Sequence, residues 1–90
     1  MKKFEDLMFE EINDSFMIGV KSCMMFDNGF GVSVVSHTYS YGGNKGLYEV
    51  AVLDSNGELT YDTPVTNDVI GYLDKSEVTD VMEEVQKLLK

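Results

Sequence analysis

The sequence predicts an α+β fold: a four-stranded antiparallel β-meander with a C-terminal helix packed on one face and a short N-terminal helix. Three observations carry this. Asn-Gly occurs twice, at Asn28-Gly29 and Asn56-Gly57, each time between apolar runs, and that pair is the strongest short-range hairpin signal. The flanking runs alternate with the period of two that a half-buried strand requires. Residues 74–89 change to apolar spacings of three and four, the pattern of an amphipathic helix.

In chain order, Phe4, Leu7, Met8 and Ile12 follow helical spacing with acids between them, which predicts a short helix over 3–13. Asn13-Asp14-Ser15 ends it with residues that favour turns and caps. Phe16 to Phe26 reads as the first strand, with Ile18, Val20, Met24 and Phe26 on the core-facing parity and Lys21, Cys23 and Met25 on the other. A type I′ turn at Asn28-Gly29, with positive φ at both central residues, leads into the second strand, where Phe30, Val32 and Val34 share a face. His37 to Gly46 holds three glycines and Asn44 and is the longest mobile loop between strands. The third strand turns Tyr48, Val50 and Val52 to one side, and Asn56-Gly57 reverses the chain into a short fourth strand with Leu59 and Tyr61.

Pro64 has no N–H to donate and ends the pairing. Residues 65–73 fit two readings, a helical turn capped by Asn67 or a plug against the sheet edge. Asp74 and Glu77 have capping-box spacing, and Val78, Val81, Met82, Val85, Leu88 and Leu89 form an apolar stripe. This predicts a helix over 75–89, with Val81 and Val85 buried against the sheet beside Met82 or Leu88. Glu77, Asp80 and Glu84 fall on a different face.

Ninety residues make a single domain, 1–90, which buries about 60–65% of its unfolded surface and has a thin core. Hydrophobic residues make up 43%, which excludes a disordered chain. No run reaches the roughly 20 apolar residues of a membrane span, and Glu5 and Asp6 interrupt the N-terminus too early for a signal-peptide core. The expected location is the cytoplasm. The net charge is −9 and there is no arginine, which disfavours direct binding to nucleic acid and favours a partner with a basic surface. The charge is uneven: residues 1–53 carry net −3 and residues 54–90 net −6.

The residue types that carry chemistry are sparse. His37 is the only histidine, and Tyr39 two positions on is its one prospective partner in acid–base work. Cys23 cannot form an internal disulfide and reads as a buried, inert thiol. Asp54-Ser55-Asn56-Gly57-Glu58 begins like a calcium loop, but the twelve-residue ligand pattern does not follow. The glycines form no phosphate loop. No metal, cofactor or catalytic set is expected. Tyr39 and Tyr41, flanking Ser40 and preceding two glycines, have the composition of an adaptable binding loop, or else one Tyr packs on the sheet while the glycines turn the chain.

Residues 28–35, 46–53 and 62–73 (Asn-Gly-Phe-Gly-Val-Ser-Val-Val, Gly-Leu-Tyr-Glu-Val-Ala-Val-Leu and Asp-Thr-Pro-Val-Thr-Asn-Asp-Val-Ile-Gly-Tyr-Leu) resemble a group of small acidic proteins encoded by tailed bacteriophages. The resemblance covers residues 25–85 and leaves out the first twenty or so. It implies an accessory factor in the host bacterial cytoplasm that binds and blocks one host protein, CRISPR–Cas and restriction systems among the targets. It implies no catalytic residues. The expected function is therefore non-enzymatic inhibition or redirection of a host protein, with Tyr39, Tyr41, Glu77, Asp80 and Glu84 as contacts. The alternatives are a self-associating module, a homodimer formed through an exposed strand edge, and a sequestering protein for a small ligand.

Overall fold

A computed structural model of the chain describes residues 1–89. Five strands, β1 (Glu10–Asn13), β2 (Ile18–Met25), β3 (Gly31–His37), β4 (Tyr48–Leu53) and β5 (Ile70–Leu73), form one antiparallel sheet in sequence order. An α-helix, α1 (Lys75–Gln86), packs on one face. The α+β class, the antiparallel meander and the C-terminal helix agree with the sequence reading. The strand count does not, and neither does the N-terminal helix.

Strand parity sets the core. Val32 and Val34 of β3 and Val50 and Val52 of β4 point toward α1 and meet Val78, Met82 and Val85, and none of the seven is more than 1% exposed. Val81, predicted to lie at the centre, is half-buried at its margin. It sits about 60° round the helix from Val78 at 3.6 residues per turn, so the stripe runs 78–82–85. The helix stops at Gln86 rather than 89, and Leu89 is exposed. The Asn28 side-chain amide donates to the carbonyls of Val85 and Leu88 at 2.9 and 3.0 Å, satisfying acceptors that a helix end leaves open.

The N-terminal segment replaces the expected helix with a 3-10 turn at Phe4–Asp6 followed by β1. The competing signal was the alternation of Leu7 and Phe9, which point inward, with Met8, which is 84% exposed. Phe4, Phe9 and Tyr48 pack their rings 5.1–5.8 Å apart. The strap is tied to α1 by the Phe4 N–H donating to Thr79 Oγ1 and by a reciprocal pair between the Lys2 backbone and the Gln86 amide. With that anchor, the chain continues as a strand that covers the free edge of β2 instead of leaving it open.

Both Asn-Gly sites are hairpin turns, but not of type I′. Asn28 and Asn56 keep negative φ, and only Gly29 and Gly57 adopt the left-handed region, at φ 90° and 77°. Each is a three-residue loop closed by a type I turn, with the glycine N–H donating to Phe26 or Asp54 and the flanking pair Phe26/Phe30 or Asp54/Glu58 hydrogen bonded at 2.7 Å. The two asparagines therefore sit where negative φ suits them, and Asn28 keeps its amide free to reach α1.

The predicted fourth strand, 58–61, shrinks to one bridge between Leu53 and Leu59. The chain leaves at Pro64, and the edge of β4 is completed by residues 70–73, so the plug reading of 65–73 is the correct one and takes the form of β5. Ile70 and Leu73 both face the core because Gly71 and Tyr72 bulge opposite Glu49.

Ser22 is the polar exception in the core. It is 4% exposed on the α1 side of β2, opposite Val34, and its hydroxyl has no hydrogen-bond partner. Ser22→Ala should hold or raise stability, by on the order of 1 kcal/mol, because an unpaired buried hydroxyl is removed. Val85→Ala should cost about 1–3 kcal/mol through lost contacts and a cavity. Urea denaturation of both variants checks the pair. A midpoint for Val85→Ala equal to the parent would refute the helix seat, and a lowered midpoint for Ser22→Ala would reveal a partner for the hydroxyl.

Candidate functional site

Two groups of residues expected from the sequence lie on different sides of the sheet. The first is the outward face of α1. Asp74 caps the helix: its carboxylate accepts from the Glu77 N–H at 2.8 Å, and the Glu77 carboxylate accepts from the Asp74 N–H at 3.1 Å. The capping-box reading holds, and it means that Glu77 has a structural role. Asp80 and Glu84 are exposed on the same helix.

These two acids border a groove of about 340 Å³ between α1 and the segment leading into β5. Val65 and Ile70 line it on one side, and Asp80, Val81, Glu83 and Glu84 of α1 on the other. Val65 and Ile70 pack against the core, which fixes the far wall. Sequence reasoning picked out Asp80 and Glu84 but missed Glu83 and the wall. The available signal was Val65 directly after Pro64, an apolar residue in a segment too short to cover it.

The second group is the β3–β4 loop. It is not an open flap. Successive backbone hydrogen bonds, from Ser40 to His37, Gly43 to Ser40, Lys45 to Gly42 and Leu47 to Gly42, wind residues 38–47 into turns, including a 3-10 turn at Gly43–Lys45. Tyr39 and Tyr41 project from it at 69% and 58% exposure, so neither is buried on the sheet. The Tyr41 N–H donates to Glu49 Oε1 at 3.0 Å, and its carbonyl accepts from the Tyr72 N–H at 3.1 Å. Glu49 points away from α1, since its neighbour Val50 points into the core. The loop is thus held against the uncovered face, and the sheet stands between the tyrosines and the helix acids.

Tyr72 is the residue that sequence reasoning missed. It is the one non-glycine residue with positive φ among those described, at 60°, and it remains 57% exposed. Its ring lies 6.4 Å from that of Tyr41 and 6.0 Å from Lys45 Nζ. Gly71 makes room for Tyr41, because a Cβ on Gly71 would collide with the Tyr41 Cβ. No local sequence signal marks a tyrosine for the left-handed region, which disfavours bulky side chains.

His37 Nδ1 accepts the Tyr39 N–H at 3.1 Å, and the two side chains form no acid–base pair within the loop. Cys23 is exposed rather than buried, because its parity on β2 faces the uncovered side beside Lys21 and Met25. The Asp54 carboxylate accepts from Asn56 and Glu58 N–H groups, so it closes the hairpin turn. Among the described residues, no three His, Cys, Asp or Glu side chains gather as a metal-binding group, and no helix is long and apolar enough to cross a membrane.

The fold and its surfaces define a class, a small antiparallel meander backed by one helix. Comparison with protein-family models, curated proteins and solved structures finds no match to this chain.

Tyr72→Asn tests the cost of the bulge. Asn tolerates the left-handed region, so the variant should be as stable as the parent or more stable by about 1 kcal/mol. A loss greater than about 1 kcal/mol in urea denaturation would show that the Tyr72 ring contributes packing that outweighs its backbone strain.

Proposed function

We propose that the chain is a non-enzymatic accessory protein of a tailed bacteriophage. In this reading it acts in the host bacterial cytoplasm, where it binds a host protein with a basic surface and inhibits or redirects it. A nucleic-acid-binding defence system such as CRISPR–Cas or restriction is the target class whose groove an acidic face would occupy. The observation that carries the reading is the outward side of α1, where Asp80 and Glu84 are exposed and Glu83 is half-exposed, in the segment 54–90 that holds two thirds of the net charge. The resemblance over residues 25–85 supports the phage setting.

The mechanism is competition. Carboxylates on one helix face accelerate encounter with a basic groove, and exposed aromatic residues add contact area once the two are docked. Because the sheet separates Tyr39 and Tyr41 from the helix acids, a partner touches both groups only by reaching around an edge of the domain. Self-association by strand pairing meets an obstacle at β1, whose exposed Glu10 and Glu11 would be brought against their own copies.

Asp80→Lys with Glu84→Lys tests the reading and spares Glu77, whose loss would remove half of the capping box. A partner is first isolated from nuclease-treated bacterial lysate. Association is then timed against salt, with molar mass from light scattering. The double variant should associate more slowly, on the order of tenfold at low salt, with a smaller change in dissociation, and rising salt should bring the parent toward the variant. A salt-insensitive association rate, or a stable homodimer with no partner captured, overturns it.

A further inference from the structure

We propose that the uncovered face of the sheet is where two copies of this chain pack against each other. An antiparallel sheet with water on one side alternates apolar and polar residues along each strand. β4 departs from that rule. Val50 and Val52 face α1, yet Ala51 and Leu53 on the other parity are apolar as well, and Glu49 is its one charged residue. The row Met25, Gly31, Leu53 and Leu59 crosses the same face, and Met25 and Leu59 are both exposed. A Cβ on Gly31 would meet the Met25 sulfur, so the Met25 side chain leans across β3. Exposed apolar residues gathered on one face mark an interaction surface.

The register identifies the occupant as a second copy. β3 is the third of the five strands. A two-fold axis running along β3, midway between two such faces, lays β2 of each copy over β4 of the other, and the contact is made twice. In the row Lys21–Val35–Glu49, each Lys21 then comes over Glu49 of the second copy. In the row Met25–Gly31–Leu53, each Met25 comes over Leu53 of the second copy. The row between them, Cys23–Ser33–Ala51, holds only small residues and lets the sheets close. Sheets stacked face to face lie about 10 Å apart with their strands inclined by about 30°. Lysine, glutamate and methionine side chains reach across such a gap. Glu49 is oriented in advance, because its Oε1 accepts from the Tyr41 N–H at 3.0 Å.

Charge favours this face for self-association. A chain of net charge −9 repels its own copy, but these three rows hold one lysine and one glutamate and carry no net charge. The acids of α1 point away from it. Five strands about 4.8 Å apart, the central three six to eight residues long, span roughly 500 Å² per copy. A pair would bury about 1,000 Å², the size at which specific interfaces begin. The α1 faces of the dimer stay outward, so the pairing does not depend on the acidic-surface reading.

Sedimentation equilibrium of the full chain tests the proposal, in moderate salt that screens the overall repulsion. The parent should fit a monomer–dimer equilibrium. Lys21→Glu alone and Glu49→Lys alone should each weaken the dimer about tenfold or more, because like charges then face each other twice. An equimolar mixture of the two variants should restore it, since every facing pair is again one lysine and one glutamate. That restoration also shows that both variants are folded. Met25→Glu should weaken the dimer while its urea midpoint stays near that of the parent. A parent that keeps the mass of one chain at its highest soluble concentration overturns the proposal. So does a dimer that persists in all three variants, which would use a strand edge or another surface. A mixture that stays monomeric, with both variants folded by circular dichroism, overturns the register. A single-chain parent whose captured host protein is lost on Met25→Glu assigns the face to that protein and overturns the dimer, while leaving the inhibitor reading standing.

Discussion

Val78, Met82 and Val85 meet Val32, Val34, Val50 and Val52 in a single layer, and among the described residues no second helix backs the sheet on its other side. Ala51 and Leu53 on the opposite parity of β4 are buried as well, but the other features follow from the layer against α1. Each strand must commit one parity to α1, since a one-residue slip would exchange a valine for Ser33 or Glu49. The helix ends must be fixed from outside the helix, and they are: the capping box closes the first turn and Asn28 the last. The N-terminal strap extends the layer with Phe4, Leu7 and Phe9, which a domain of ninety residues has few other means of enlarging.

How far the sequence reveals this depends on whether a segment's own chemistry or its neighbours decide its state. The parity of β3 and β4 was legible because alternation is a property of the segment itself, whereas in β2 Ile18, read as core-facing, is 67% exposed. So was the capping box, where two carboxylates three residues apart suffice. The hairpin positions were legible and their turn type was not. Asn-Gly permits positive φ at both residues, but the strands here are joined through three-residue loops, and the Asn28 amide is recruited by a helix fifty-seven positions away. β1 and β5 are the elements that tertiary context decided. Residues 4–12 satisfy a helical count only while Phe9 is ignored, and the free edge of β2 makes the extended form better. Residues 70–73 contain Gly71 and a left-handed Tyr72, and they are a strand only because β4 offers unpaired carbonyl and amide groups on the edge opposite β3.

The candidate site divides in the same way. Asp80 and Glu84 could be assigned to an exposed helix face because helix periodicity fixes direction. The groove beside them could not, because its wall comes from residues whose fold was ambiguous. For the tyrosines the sequence fits both an exposed loop and packing on the sheet, and it offers no way to know that the loop folds back through Glu49 and Tyr72.

Charge and packing pull against each other in this chain. A net charge of −9 on a domain with one apolar layer disfavours the compact state through self-repulsion, and salt relieves that repulsion. Salt would also screen the proposed attraction to a basic partner. The same ions thus favour the fold and oppose the complex, and the two effects separate by location. Glu77 acts within the helix cap at hydrogen-bond distance, where screening matters little. Asp80, Glu83 and Glu84 lie at a surface where screening is strong, so salt weakens the repulsion of Asp80 for the other two across one turn. An acidic face of this kind is a cost to the isolated protein that binding a basic partner would recover.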